Sequence, residues 1–100
     1  MRYKISRLAV QDLENIWVYT FEKWSINQAD KYINQIMDEI EYIANHPKSG
    51  SDFSRIRKGY FRTMINAHLI FYKIDKKNDM VEIIRILHQK MDIEERLSDE

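Results

Sequence analysis

The chain has 100 residues, of which 44% are hydrophobic and 12% aromatic, a composition that suits a packed core and excludes intrinsic disorder. It contains no cysteine, which excludes disulfide bridges, thiolate metal sites and cysteine nucleophiles. The first residues lack the apolar stretch of a signal peptide, and no segment reaches the roughly 18 consecutive apolar residues of a membrane span. We therefore expect one cytoplasmic domain over residues 1–100, without membrane contact.

The net charge of zero hides an uneven distribution of charge along the chain. Residues 47–91 carry ten Lys or Arg against four Asp or Glu, whereas the segments before and after them are acidic. A basic segment inside a neutral chain predicts either a surface that binds an anionic or acidic partner or a sheet edge protected by lysines. Charge alone leaves both interpretations open.

The first half of the sequence predicts a short strand followed by two helices. Residues 2–6 alternate between polar and apolar side chains, as a strand does, and Ser6 is placed to cap a helix. The residues that follow form one apolar stripe at helical spacing, made of Ala9, Leu13, Ile16, Trp17, Thr20 and Trp24. Ser25 and Gln28 have the capping-box spacing of a second helix, which Pro47 must end near Asn45. So short a connection predicts an antiparallel helical hairpin, with both tryptophans in its core or reaching from it to an exposed groove edge.

The second half changes to the period of two that is typical of strands. Residues 47–54 read as a loop, and strands are predicted over 55–65, 68–75 and 80–88, joined by turns at 66–67 and 76–79. Such short connections permit only antiparallel neighbours, so the three strands form a meander. The last strand is expected to be central, with the first strand of the chain on its free side.

Residues 91–97 predict a short C-terminal helix, followed by an acidic tail. The fold class is therefore α+β: an N-terminal strand, an antiparallel helical hairpin, a three-stranded antiparallel meander and a short helix. The hairpin needs one face of the sheet to cover its apolar stripes. We expect the other face to be left to the basic residues.

Several chemistries lack their motifs, because the sequence has no G-x-G-x-x-G, no P-loop and no H-E-x-x-H. The three histidines lack metal-ligand spacing, although His68 and His88 are able to meet across adjacent strands, either as general acid and base or as satisfied polar groups. Arg85 lies in an otherwise apolar strand, where a guanidinium is costly unless it is paired. Its role is either an ion pair with a helix carboxylate such as Asp12 or Glu14, or binding of a partner.

Five segments together resemble the ParE toxins of the RelE/ParE superfamily, and the similarity runs from the first strand to about Asp92. They are Ser6-x-x-Ala9-x-x-Asp12-Leu13-x-x-Ile16, Gln28-Ala29, Asn45-His46-Pro47-x-x-Gly50, His68-Leu69-Ile70-Phe71-Tyr72 and Ile84-Arg85-Ile86-Leu87-His88-Gln89-Lys90-Met91-Asp92. The resemblance implies the same fold that the periodicity predicts. It also implies a toxin of a type II toxin–antitoxin pair, with no cofactor and no metal.

The resemblance implies one of two modes of action. ParE-like toxins are known as non-enzymatic poisons of DNA gyrase that a ParD-like antitoxin neutralises, whereas RelE-like relatives cleave mRNA on the ribosome with basic residues and often a C-terminal tyrosine. This sequence has Leu69 where the nucleases place an arginine, and it has no tyrosine after His88. A gyrase inhibitor is therefore the preferred interpretation, an mRNA endoribonuclease is the alternative, and an inactive homologue that only binds its antitoxin is the third.

Each interpretation assigns its own residues. The target-binding surface is expected to comprise Arg57, Arg62, Arg85, His88, Lys90 and Met91. The antitoxin is expected to contact Trp17, Phe21, Trp24 and Tyr72. If the chain were a nuclease, its catalytic residues would be His88, His68, Arg85 and Arg62.

Overall fold

A computed structural model describes residues 1–98; the last two residues of the acidic tail, 99–100, lie outside that range. The elements in chain order are β1 (Arg2–Ile5), α1 (Arg7–Lys23), α2 (Ile26–Asn45), β2 (Ser51–Asp52), β3 (Tyr60–Ile65), β4 (His68–Asp75), β5 (Met80–His88) and α3 (Ile93–Leu97). They form a five-stranded sheet in the order β1-β5-β4-β3-β2. β1 runs parallel to β5, and the other neighbours are antiparallel. The predicted α+β fold, with β1 on the free side of the last strand, is confirmed.

Both helix starts lie where the sequence predicts them. Ser6 accepts a hydrogen bond from the Ala9 N–H at 3.0 Å, and Ser25 accepts one from the Gln28 N–H at 3.0 Å. Each serine satisfies an N–H that has no partner within its helix. Because α2 begins only three residues after α1 ends, the two helices form the predicted antiparallel hairpin.

One face of the sheet packs against this hairpin. Buried side chains of both layers make up this first core, namely Ala9, Ile16, Ile36, Ile40, Ile43, Ile70, Tyr72, Val81, Ile83 and Ile86. The last buried position of α1 is Thr20. Trp24 follows it at the tip of the hairpin and is 75% exposed, so the prediction that Trp24 belongs to the core is wrong. Trp17 is half-buried, and its indole N–H donates to Asp30 Oδ1 at 2.9 Å.

The strand predicted over residues 55–65 begins only at Tyr60. The N–H groups of Ile56 and Arg57 both donate to the Phe53 carbonyl, and Gly59 adopts a φ of +81°. That left-handed conformation favours glycine and interrupts an extended run. Residues 54–59 therefore form turns, and β2, which the sequence analysis missed, pairs with β3 ahead of them.

The second face of the sheet is not left open, contrary to expectation. A second core lies there, made of Tyr60, Leu69, Phe71, Ile84, Leu87 and Leu97, with Phe53 and Ile93 packed against it. Leu97 of α3 is fully buried, and burying a leucine contributes about 1.5–3 kcal/mol. The short helix is thus part of the packed structure and covers apolar strand residues that would otherwise face water.

Candidate functional site

Arg85 is the most deeply buried of the predicted target-binding residues, with 6% of its surface exposed. Its Nε and Nη2 donate to the two carboxylate oxygens of Asp12 at 2.8 and 3.0 Å. The same carboxylate accepts a hydrogen bond from the Ile86 N–H at 2.9 Å. It therefore supplies an acceptor to the β5 backbone past Ile83, where the pairing with β1 ends. The ion pair with a helix carboxylate is the alternative that the structure shows. Arg85 presents no free guanidinium to a target, and we remove it from the target-binding set.

Two arginines hold the end of α3. Arg85 Nη1 donates to the Arg96 carbonyl at 3.0 Å, and Arg57 Nη2 donates to the Leu97 carbonyl at 2.8 Å. The last carbonyls of a helix lack partners within it and carry partial negative charge, so cations are stabilising there. Arg57 therefore has a structural contact on the second face of the sheet, in addition to any role in target binding.

Arg62 lies on the same face as α3. Its guanidinium sits 5.3 Å from the ring centroid of Phe53, a cation–π distance. It is paired in register with Phe71 of the second core, and it is half-buried. Arg62 is thus separated by the sheet from side chains that face the helical hairpin.

The two strand histidines meet on the opposite face, as the sequence analysis allowed. His68 and His88 are directly opposed in the β4–β5 register, and their ring centroids are 5.2 Å apart with the rings nearly perpendicular. Tyr32 of α2 approaches from the hairpin, with its hydroxyl 2.7 Å from His68 Nδ1 and 3.2 Å from the Ile65 carbonyl. The backbone N–H of Lys90 donates to His88 Nδ1 at 3.1 Å.

The environment of His68 holds its ring neutral. Burial, followed by the nearby His88, lowers the pKa of His68 to about 4, while Asp12 acts in the other direction. The pKa of the Tyr32 hydroxyl is raised by its own burial. Neutral pH therefore leaves His68 without a positive charge.

The histidines form one wall of a cleft at the end of the sheet, about 410 Å³ in volume. We call it the sheet-end cleft; it is lined by Asp12, Asn15, Ile16, Tyr19, His68, Ile86, His88 and Met91. Asn15, Ile16 and Tyr19 project from α1, and Met91 follows the last strand. Asn15, Tyr19 and Tyr32 were not predicted, because helical spacing marks an apolar face of a helix but does not show which strand end lies beneath it.

The four residues of a nuclease interpretation are not brought together. His68 and His88 share the sheet-end cleft, whereas Arg62 lies on the other face and the guanidinium of Arg85 is committed to Asp12 and to α3. Cleavage of RNA needs cations on the scissile phosphate beside the general acid and base. In residues 1–98 the arginines that would supply them stand apart from the histidines.

The residues assigned to the antitoxin separate into two groups. Trp17 and Phe21 stack with centroids 5.4 Å apart, and Phe21 and Trp24 are 43% and 75% exposed. Ile26, which was not predicted as a contact residue, is 54% exposed. We call the apolar surface formed by Trp17, Phe21, Trp24 and Ile26 the hairpin tip.

Tyr72 is different, because it is wholly buried. Its hydroxyl donates to the Pro47 carbonyl and accepts the Gly50 N–H, both at 2.9 Å. A Cβ on Gly50 would lie only 2.5 Å from that hydroxyl oxygen, so this approach requires glycine. Tyr72 anchors the loop after α2 and offers no surface to an antitoxin, which corrects the prediction for this residue.

The described residues, 1–98, contain no helix that is long and apolar enough to cross a membrane. In the same range, no group of three or more His, Cys, Asp or Glu side chains is arranged to hold a metal ion.

Comparison with known proteins agrees with this architecture. The family model of the ParE toxin of the type II toxin–antitoxin system parDE matches residues 3–93. The protein Toxin ParE1 of Caulobacter vibrioides is 40% identical over 89 residues, which cover 89% of this chain and 90% of that protein. Toxin ParE1 of Mycobacterium tuberculosis is 32% identical over 96 residues, covering 96% and 97% of the two chains.

Solved structures share the fold at lower sequence identity. A chain of a chromosomal ParDE system from P. aeruginosa superposes with a TM-score of 0.77 at 17% identity, over 88% of this chain and 95% of that one. A chain of the toxin–antitoxin complex RelBE2 from Mycobacterium tuberculosis gives a TM-score of 0.68, also at 17% identity, over 87% and 95%. By its match to the family model and to the two Toxin ParE1 proteins, this chain belongs to the ParE family and is a ParE-type toxin of a type II toxin–antitoxin system.

Proposed function

We propose that this toxin inhibits DNA gyrase in the bacterial cytoplasm without being an enzyme itself, and that a cognate ParD-like antitoxin neutralises it. The observation that carries the proposal is the separation of the nuclease residues. Among residues 1–98, the cleft histidines have no arginine beside them that is free to bind phosphate, since Arg85 is buried against Asp12 and Arg62 lies across the sheet. Membership of the ParE family supports the same conclusion.

The surface proposed to face the target lies at the end of the sheet. His88 opens into the sheet-end cleft, Met91 lines it and is 41% exposed, and Lys90 is exposed between them. This segment combines apolar and cationic groups on adjacent residues, as protein interfaces often do. Arg57 and Arg62 stay in the proposed set as contributors from the second face.

The surface proposed to face the antitoxin is the hairpin tip. Trp17, Phe21 and Trp24 leave apolar rings exposed to water at the tip, and such groups are enriched where partners bind. An amphipathic segment that lays its apolar side over these rings would bury them. The ParDE and RelBE2 systems that share the fold are themselves toxin–antitoxin assemblies.

A supercoiling assay with purified gyrase tests the proposal. We expect the toxin at micromolar concentration to inhibit supercoiling and to leave cleaved DNA, and we expect prior mixing with the antitoxin to restore activity. The variant Glu41→Ala, altered at an exposed position near the end of α2 opposite the hairpin tip, serves as a matched control and should inhibit like the parent. Full supercoiling in the presence of micromolar toxin would contradict the proposal.

The alternative function is a ribosome-dependent mRNA endoribonuclease, and the opposed histidines of the sheet-end cleft are the observation that favours it. It predicts transcript cleavage in a translating extract, and loss of that cleavage in His88→Ala. Intact transcripts in an extract that contains active toxin would exclude it.

A further inference from the structure

The sheet-end cleft contains two ring nitrogens with unused hydrogen-bonding capacity. Nδ1 of His68 and Nδ1 of His88 are occupied by Tyr32 and by the Lys90 backbone, whereas Nε2 of neither ring has a hydrogen-bond partner among residues 1–98. Every buried side-chain nitrogen and oxygen in this part of the chain does have a partner. The two Nε2 atoms are therefore not fully buried.

The hydrogen bonds at Nδ1 fix the opposite character of the two Nε2 atoms. The Tyr32 hydroxyl has one hydrogen, and the Ile65 carbonyl 3.2 Å away is able only to accept it. With that hydrogen on the Ile65 carbonyl, His68 Nδ1 donates to the hydroxyl oxygen 2.7 Å away, and Nε2 of the neutral ring is left as an acceptor. His88 Nδ1 accepts the Lys90 N–H, so Nε2 of the neutral ring carries the hydrogen and donates.

The two opposed histidines thus offer one acceptor and one donor in a cleft that Ile16 and Ile86 also line. A hydroxyl both donates and accepts at a single oxygen, and an aromatic ring suits an apolar cleft of about 410 Å³. Phosphate suits it less, because the pKa of His68 is lowered to about 4 and the charge of Arg85 is neutralised by Asp12.

We propose that the sheet-end cleft binds the side chain of a tyrosine of the toxin's protein target, with its phenol hydroxyl donating to His68 Nε2 and accepting from His88 Nε2. The proposal rests on the target-facing role of His88 and Met91 proposed above, and it adds the chemistry by which the partner is recognised. Tyr32 is a positioning residue in this scheme, because it sets which nitrogen of His68 accepts.

Small aromatic probes added to the complete toxin test the site. In ¹⁵N NMR spectra at neutral pH, we expect p-cresol to shift the Nε2 resonances of His68 and His88 in a saturable way. Toluene, which lacks the hydroxyl, should bind roughly tenfold more weakly, because two hydrogen bonds are lost. Inorganic phosphate should leave both resonances in place. Equal affinity for toluene and p-cresol, or saturable binding of phosphate instead, would overturn the proposal.

The variant Tyr32→Phe tests the orientation of His68 without removing either histidine. We expect p-cresol to bind about fivefold more weakly to this variant while toluene binding is unchanged. His46→Gln, altered at an exposed histidine after α2, is the matched control and should bind both probes like the parent. A well-dispersed amide spectrum establishes folding. An unchanged ratio of the p-cresol and toluene affinities in Tyr32→Phe would show that the tautomer argument is wrong.

Growth arrest tests whether the target uses the cleft. We expect His88→Leu to arrest bacterial growth at least tenfold less effectively than the parent at equal expression, while the antitoxin still binds it at the hairpin tip. Parental toxicity of His88→Leu would overturn the proposal. The probe measurements need only the toxin, so they test the tyrosine site independently of gyrase. A failure to inhibit gyrase would refute the proposed target but would not decide whether the cleft binds a phenol.

Discussion

Replacing Asp12 with alanine removes the carboxylate that pairs with Arg85 and leaves a guanidinium buried among apolar strands. Breaking a buried ion pair by removing one partner costs about 3–5 kcal/mol, because the remaining charge is uncompensated. The Ile86 N–H also loses its acceptor. Domains of this size are stable by about 5–15 kcal/mol, so we expect Asp12→Ala to lose a large fraction of the free energy of unfolding.

Urea denaturation followed by circular dichroism measures this loss. Glu14→Ala is the matched control, because Glu14 is the other carboxylate that the sequence offered as a partner for Arg85 and it is exposed. We expect the control to change the free energy of unfolding by less than about 0.5 kcal/mol.

A double-mutant cycle separates the interaction energy of the Asp12–Arg85 pair from the effects of each side chain on its other neighbours. Arg85→Met removes the charge while filling similar space, and we expect Asp12→Ala combined with Arg85→Met to be less destabilised than the two single changes summed. The pair would then show a coupling of about 1–3 kcal/mol. A loss below about 1 kcal/mol in Asp12→Ala, or strict additivity in the cycle, would refute the reasoning.

Three further predictions concern separate parts of the molecule. Tyr72→Phe removes the hydroxyl that joins Gly50 to Pro47, and we expect a thermal melt to show a loss of about 1–3 kcal/mol, with no loss contradicting the anchoring role. His68 is expected to titrate near pH 4 in an NMR titration. Because its folded pKa lies below its unfolded value of 6.5, the unfolded state binds more protons between these pH values, so stability should fall as the pH is lowered from about 6.5 to 4 and His68→Gln should remove that slope. Trp24→Ala should change stability by less than about 0.5 kcal/mol and weaken antitoxin binding at least tenfold, as calorimetry would measure; unaltered binding would exclude the hairpin tip.

The order and type of the main elements followed from the sequence because local chemistry fixes them. Ser6 and Ser25 cap the helices they precede, and Pro47 follows the end of the second one. The change of period after the loop predicted the meander, and its short turns required antiparallel neighbours. The first error concerned the strand before Tyr60, where Gly59 takes a left-handed conformation that alternation does not reveal.

The functional surfaces depended on contacts between residues far apart in the chain. The sequence left Arg85 with two roles, and only packing against Asp12, 73 positions earlier, decided between them. Neither the helical spacing of Trp24 nor the strand position of Tyr72 showed which side chain is covered: Trp24 is exposed and Tyr72 is buried.

The sequence by itself determined the fold class, the helical hairpin and the resemblance to ParE toxins, because these depend on spacing, capping and order along the chain. The tertiary structure alone decided that His68 and His88 share a cleft with Tyr32 and that α3 covers the second face of the sheet. The physical reason is that burial and hydrogen-bond partners are properties of neighbours in space, and strand register sets those neighbours.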